Sequence, residues 1–291
     1  MIVLRPSAEI DWDHFGPALR TLGYVPGQNL VLEYRFAGGD IGRIPALARE
    51  IAQSKPDIVI AVGAAATRAM RAASVDIPLV MFGNFDPVAA GLATSLARPG
   101  RDITGVMISS EGTLAAKKME LLREAVPNLR RLGVLVPHDP NVARQIDEVR
   151  VAAKTLSLEM TVAEGAPDLY ANAFAALADA RVEALLVAAH TFFVRDRAAI
   201  IRLAERARLP AIYEWPDQVR DGGLMAYGPN LDRLWQRIAV YVDRILKGTP
   251  AGSLPIELPT AVELAINVRT ARAIGLALPP TLLARADTIY E

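Results

Sequence analysis

The polar residues of this chain that could do chemistry stand singly or in short clusters at the ends of apolar runs. Their types suit gripping a small molecule. After the run Pro56 to Val62 comes Gly63-Ala64-Ala65-Ala66-Thr67. Small side chains let a ligand approach the main chain, and the unpaired N–H groups at a helix start favour a carboxylate. Thr67 adds a hydroxyl, although the same alanines would serve equally to pack a helix on a sheet. After the run Ile77 to Phe82 comes Gly83-Asn84-Phe85-Asp86-Pro87. Asp86 stands before a proline at what reads as a first helical position, so it is placed to cap a helix, to hold a ligand's amino group, or to do both. Further on, Ala189-His190-Thr191-Phe192-Phe193 and Tyr213-Glu214-Trp215-Pro216 put aromatic rings beside polar groups. Ring surface plus a charge partner is what an amphipathic small ligand needs, and a cluster that packs a hinge would look the same. Phe192 and Phe193 are adjacent and cannot both face one way, so one belongs to the core. Ser7, Asn141 (equally an N-cap) and Tyr227 complete the candidates.

Catalysis finds little support. His14, His138 and His190 are far apart and none has a metal-ligand spacing such as His-x3-His. There is no Gly-x-Ser-x-Gly elbow, no Walker A motif and no cysteine. The Gly63 loop lacks the three-glycine dinucleotide fingerprint. Neither an enzymatic activity, nor a metal, nor a cofactor is expected. Arg195, Asp196 and Arg197 read as a solvated helix face.

With 291 residues the chain can form two domains of ordinary size. Lys+Arg and Asp+Glu are equal at 32 each, which gives no basic excess for nucleic acid. A hydrophobic fraction of 52% is that of a globular protein, and no apolar run approaches the roughly 20 residues that span a bilayer. The first residues, Met1-Ile-Val-Leu-Arg-Pro, lack the basic start and long apolar core of a signal peptide.

The elements that must position these loops follow from periodicity. Strands are expected at Ile2–Leu4, Asn29–Phe36, Pro56–Val62, Ile77–Phe82 and Ile103–Met107, with helices at 12–22, 44–54 and 63–73. A helix is also expected to open at Pro87. The alternation restarts with a helix at 110–126, and strands then follow at 132–136, 159–163, 184–188 and from 211. Between them lie helices at 141–157, 169–180 and 193–207. The segment 224–228 reads as a strand crossing back, and 231–246 as a helix with Leu234, Ile238, Tyr241 and Ile245 on one face. This pattern predicts an α/β fold of two doubly wound, parallel-sheet lobes. Residues 1–107 with 229–247 would form one lobe, and residues 108–228 with 248–291 the other.

The strings Phe85-Asp-Pro-Val-Ala-Ala-Gly-Leu92, Ser95-Leu-Ala-Arg-Pro-Gly100 and Ile103-Thr-Gly-Val106 closely resemble one family. So do Gly222 to Asn230, Tyr241 to Gly248, Leu254 to Thr260 and Ala271 to Leu283. It is the ABC-transporter substrate-binding proteins that include the tryptophan- and tyrosine-binding lipoproteins. The resemblance implies a type I periplasmic-binding-protein clamshell of two lobes joined by crossover segments. It implies an extracytoplasmic, periplasmic or membrane-anchored receptor whose signal peptide has been removed. An amino acid or aromatic carboxylate would lie in the cleft between the lobes and be delivered, by a monomer, to a membrane permease. A branched-chain amino acid is the alternative ligand, and the ligand-sensing core of a regulator is the alternative role.

Overall fold

The computed structural model describes residues 1–5, 15–74, 76–100, 102–108, 113–138, 142–259 and 261–291, with the side chains of Thr113, Arg144 and Thr191 left aside. Ser7 and Asn141 therefore lie outside the described residues, as does the expected start of the first helix. The chain begins with β1 (Ile2–Arg5), α1 (Phe15–Thr21), β2 (Glu33–Phe36), α2 (Ile44–Ser54), β3 (Val59–Val62), α3 (Ala64–Ala73), β4 (Leu79–Gly83) and β5 (Ile103–Met107). It continues with α4 (Thr113–Ala125), β6 (Arg131–Pro137), α5 (Ala143–Thr155), β7 (Glu159–Gly165), α6 (Tyr170–Asp179) and β8 (Ala184–Val187). Next come α7 (Thr191–Arg195), α8 (Arg197–Arg206), β9 (Ala211–Tyr213), α9 (Pro216–Arg220), β10 (Met225–Gly228) and α10 (Leu231–Leu246). The tail carries β11 (Ile256–Glu257), β12 (Glu263–Asn267), α11 (Val268–Ala273), α12 (Pro280–Leu283) and β13 (Thr288–Tyr290).

Two compact units result, Met1–Ser110 with Leu231–Thr260 and Glu111–Asn230 with Ala261–Glu291. The first holds a six-stranded sheet in the order β11-β5-β4-β3-β1-β2, with every pairing parallel. Its central strands are apolar along their whole length, as strands covered on both faces must be: Val59 to Val62 are all buried. The covering helices supply one apolar stripe each. In α2 the stripe is Ile44, Ala48 and Ile51, and Lys55 ends the helix in the left-handed region at φ 47°. In α10 it runs from Leu231 through Leu234, Trp235, Ile238, Tyr241 and Val242 to Ile245. Trp235 meets Phe15 at 5.0 Å and Phe82 at 4.6 Å between ring centroids, both tilted, and so pins α10 to α1 and β4.

The second unit holds a seven-stranded sheet in the order β13-β12-β10-β9-β8-β6-β7. It is mixed: β12 runs antiparallel to β10, and the other pairings are parallel. The expected parallel α/β architecture is present in both units, with two strands at one edge of the second sheet, β12 and β13, running against the rest.

Four expectations need correction. Residues 248–260 belong to the first unit, because β11 pairs with β5 through Ile256 opposite Gly105 and Glu257 opposite Val106. Thr104 Oγ1 lies 3.0 Å from the carbonyls of both Leu254 and Pro255, and Tyr241 donates to the Pro255 carbonyl at 2.7 Å. The added strand covers what would otherwise be the open edge of β5. Second, β10 stays in the sheet of the second unit, so the chain passes to the first unit only at α10. Third, Pro87 to Gly91 form turns and no helix. Fourth, the single helix expected over 193–207 is two, broken at Asp196. Arg195, Asp196 and Arg197 are not a solvated face: their side chains are 14%, 13% and 20% exposed and engaged in ion pairs.

Candidate functional site

In the first unit the strands β5, β4, β3 and β1 are neighbours and parallel, so the loops that leave them share one edge of the sheet. Open α/β sheets bind ligands there, beyond the carboxyl ends of the strands. The β3 and β4 exits are drawn together at Gly83, where a Cβ would come 3.1 Å from the Gly63 Cα and 3.3 Å from its nitrogen. Two glycines are what let these loops touch. Gly63 precedes α3, with Ala64 and Ala65 half-buried and Ala66 and Thr67 buried. The Thr67 hydroxyl donates to the Gly63 carbonyl at 2.9 Å, so its proton is committed to its own helix. The first-turn N–H groups of an α-helix have no partner within the helix, and the helix dipole there favours negative charge.

On the β4 exit, Asn84 is exposed while Phe85 and Asp86 are half-buried. Asp86 Oδ1 accepts from the amides of Val88 at 2.8 Å and Ala89 at 3.0 Å. That is a local turn-closing role, fulfilled here without a helix. At the end of β1 stands Arg5, 1% exposed, which the sequence reading passed over. Burial pushes its guanidinium down to about 9, against a raising influence from Tyr34. A charged residue closing the apolar run Ile2-Val3-Leu4 was the available signal.

The corresponding edge of the second unit gathers the exits of β6, β8 and β9. His190 precedes α7, and its Nδ1 accepts from the Phe192 amide at 3.2 Å, which puts the proton of a neutral ring on Nε2. His190 and Phe192 are both half-buried and meet edge to face at 4.7 Å. Phe193 is fully buried, so it is the core member of the pair, and the Arg195 guanidinium lies 5.3 Å from the Phe192 ring. Asp196 accepts from the Tyr170 hydroxyl at 2.6 Å and from Arg195 at 2.5 Å. Burial and that carboxylate push the Tyr170 phenol up.

Around β9 the three residues singled out in the sequence separate. Tyr213 is 1% exposed and belongs to the core; a Cβ on Gly223 would come 2.8 Å from its ring. Burial pushes its phenol up. Glu214 and Trp215 are buried as well, at 2% and 3% exposure. Glu214 pairs with Lys118 of α4, a residue the sequence reading did not select because its partner lies 96 positions away. Gly228 backs this cluster: a Cβ there would come 1.9 Å from the Glu214 carbonyl oxygen. Tyr227, beside it on β10, is half-buried and packs against the core of this unit. His138, at the β6 exit, meets Glu164 at 2.7 Å on the surface. Among the described residues no group of three acidic or histidine side chains could hold a metal ion.

Two α/β units with parallel-dominated sheets and polar loops at the strand carboxyl ends have the architecture of type I periplasmic binding proteins. The chain belongs to the family of ABC transporter substrate binding proteins, matching it over residues 1–290. A tyrosine-binding protein of Clostridioides difficile is 24% identical over 276 residues, which is 94% of this chain and 79% of that one. Among solved structures, a conserved domain protein from Vibrio cholerae superposes with a TM-score of 0.88 at 23% identity, covering 99% of this chain and 98% of that one. An ABC domain from Streptococcus pneumoniae in complex with L-Trp superposes with a TM-score of 0.86 at 19% identity, with the same coverage.

Proposed function

We propose that this chain is the solute receptor of an ABC importer and that it captures an amino acid or aromatic carboxylate. Its family consists of binding proteins, which work outside the cytoplasm and hand a small molecule to a membrane permease. The observation that carries the reading is the family match over 290 of the 291 residues. The relatives named as binding tyrosine and L-Trp support an aromatic amino acid as the solute. So do the half-buried rings at the strand ends, Phe85 in the first unit and Phe192 and Tyr227 in the second.

In this reading aromatic side chains take the ligand's ring. The protein acts as a monomer in the periplasm or tethered to the membrane surface, and it makes and breaks no bonds. A thermal-shift panel of the proteinogenic amino acids, aromatic acids and simple sugars tests the class of solute. A ligand at 100 times its dissociation constant adds about 2.7 kcal/mol of stability, well within reach of such an assay. L-tryptophan or L-tyrosine should head the panel. Stabilisation by sugars alone would replace this ligand class, and stabilisation by none of the panel would count against solute capture itself.

A further inference from the structure

In the second unit, Lys118 and Glu214 form an ion pair almost sealed from water, with side chains 5% and 3% exposed. Lys118 sits in the second turn of α4, which packs over β8, β9 and β10, and its Nζ reaches Glu214 Oε2. The other carboxylate oxygen, Oε1, has no hydrogen-bond donor among the described residues. Next to it in sequence, the Nε1–H of Trp215 is buried and has no acceptor among them. Buried polar atoms in folded proteins are nearly all paired. Here an unmet acceptor and an unmet donor stand on consecutive residues, at the carboxyl end of a central strand. The backbone has been shaped around them, since only glycine at 228 lets β10 pass so close to Glu214, with Oε1 3.5 Å from where a Cβ would be.

We infer that Glu214, held by Lys118, is the acceptor for the ligand's ammonium group, with the indole N–H of Trp215 donating to a ligand oxygen, so that the solute is a zwitterionic amino acid. This rests on the solute-binding reading above and narrows it. The charges of Lys118 and Glu214 cancel, so the cluster is neutral before a ligand arrives. A zwitterion keeps it neutral and brings the donor that Oε1 lacks. An aromatic acid without an amine lacks the ammonium donor and adds a second anion to a buried carboxylate, which low polarity makes unfavourable. Asp86, the acid the sequence offers for this role, has its Oδ1 occupied by two backbone amides. Lys118 acts as a positioning residue: it fixes Oε2 and thereby presents Oε1.

Titration calorimetry on the full chain tests this with L-tryptophan and L-tyrosine, each against its deaminated acid, 3-indolepropionate and 3-(4-hydroxyphenyl)propionate. The amino acid that binds should do so about a hundredfold or more tighter than its acid. Glu214→Gln keeps the shape and removes the charge; it should erase most of that preference by weakening the amino acid and, with the neighbouring anion gone, tightening the acid. The comparison of ligands on the unaltered protein stands even if that variant does not fold. Equal affinity for an amino acid and its acid would overturn the inference and leave the solute-receptor reading intact. So would a folded Glu214→Gln variant with undiminished amino-acid affinity. Failure of both amino acids to bind would also overturn it, and the thermal-shift panel then decides separately whether another solute binds.

Discussion

A methyl group at position 228 would sit 1.9 Å from the carbonyl oxygen of Glu214 and 3.0 Å from its carbonyl carbon. Neither is a flexible group that can swing aside. Gly228→Ala should therefore cost about 3 kcal/mol or more of stability, measurable by urea denaturation. Asp86 makes a milder case. Its Oδ1 closes a turn through two amides on the surface, so Asp86→Ala should cost about 1 kcal/mol, and Asp86→Asn, which keeps the acceptor, a few tenths. Equal losses for the two would mean that charge, and not the hydrogen bond, holds the turn. Local roles of this kind could be read from the sequence: Asp86 before a proline, His190 before a helix and one of two adjacent phenylalanines in the core all follow from neighbours in the chain. The Lys118–Glu214 pair could not be read that way, because 96 residues separate its members and only the fold brings them together. Tyr213 misled for a related reason. A strand end offers two faces, and nothing in Tyr213-Glu214-Trp215 says which residue turns into the core.

The element that departs most from expectation is β11, a strand of two residues held by side chains as much as by its ladder. Arg237 on α10 grips Glu257 with both arms, at 2.8 Å and 2.5 Å, and Tyr241 one turn on holds the Pro255 carbonyl. Hydrogen bonds from Arg237 keep the Glu257 carboxyl below its ordinary 4.5, although burial works against them. A carboxylate whose folded value is depressed contributes stability that is fully present above about 4.5. The contribution is lost as pH falls through the lower folded value. Because the side chains of Arg237 and Glu257 are 46% and 30% exposed, that contribution should be no more than about 1 kcal/mol. Glu257→Gln should remove it, so the variant and the unaltered protein should converge in stability once pH has fallen below the depressed folded value; a gap that persists there would point to packing instead. Trp235 tests the same helix from its buried side. Trp235→Ala empties the contacts with Phe15 and Phe82 and should cost about 3 to 5 kcal/mol by thermal or chemical denaturation. Helix α10 was legible because sixteen residues carry an unbroken stripe. Two-residue β11 carries no period at all, and this is why the tail from 248 to 260 was assigned to the wrong unit.

At the scale of the whole chain, each unit closes its own core around its own sheet, and each is completed by chain from after residue 230. The alternation of strands and helices announced two α/β units because a buried parallel strand and an amphipathic helix leave different signatures in sequence. The antiparallel β12 and the return of β11 depend on pairings between residues far apart, which leave none. The family follows from the full length of the match, and the solute from chemistry that membership alone leaves open. Uptake addresses the central claim most directly. In the native host, a strain lacking this chain should take up labelled L-tryptophan or L-tyrosine more slowly at low external concentration, and the unaltered gene should restore the rate. Undiminished uptake in that strain of every solute the purified protein binds would contradict the account.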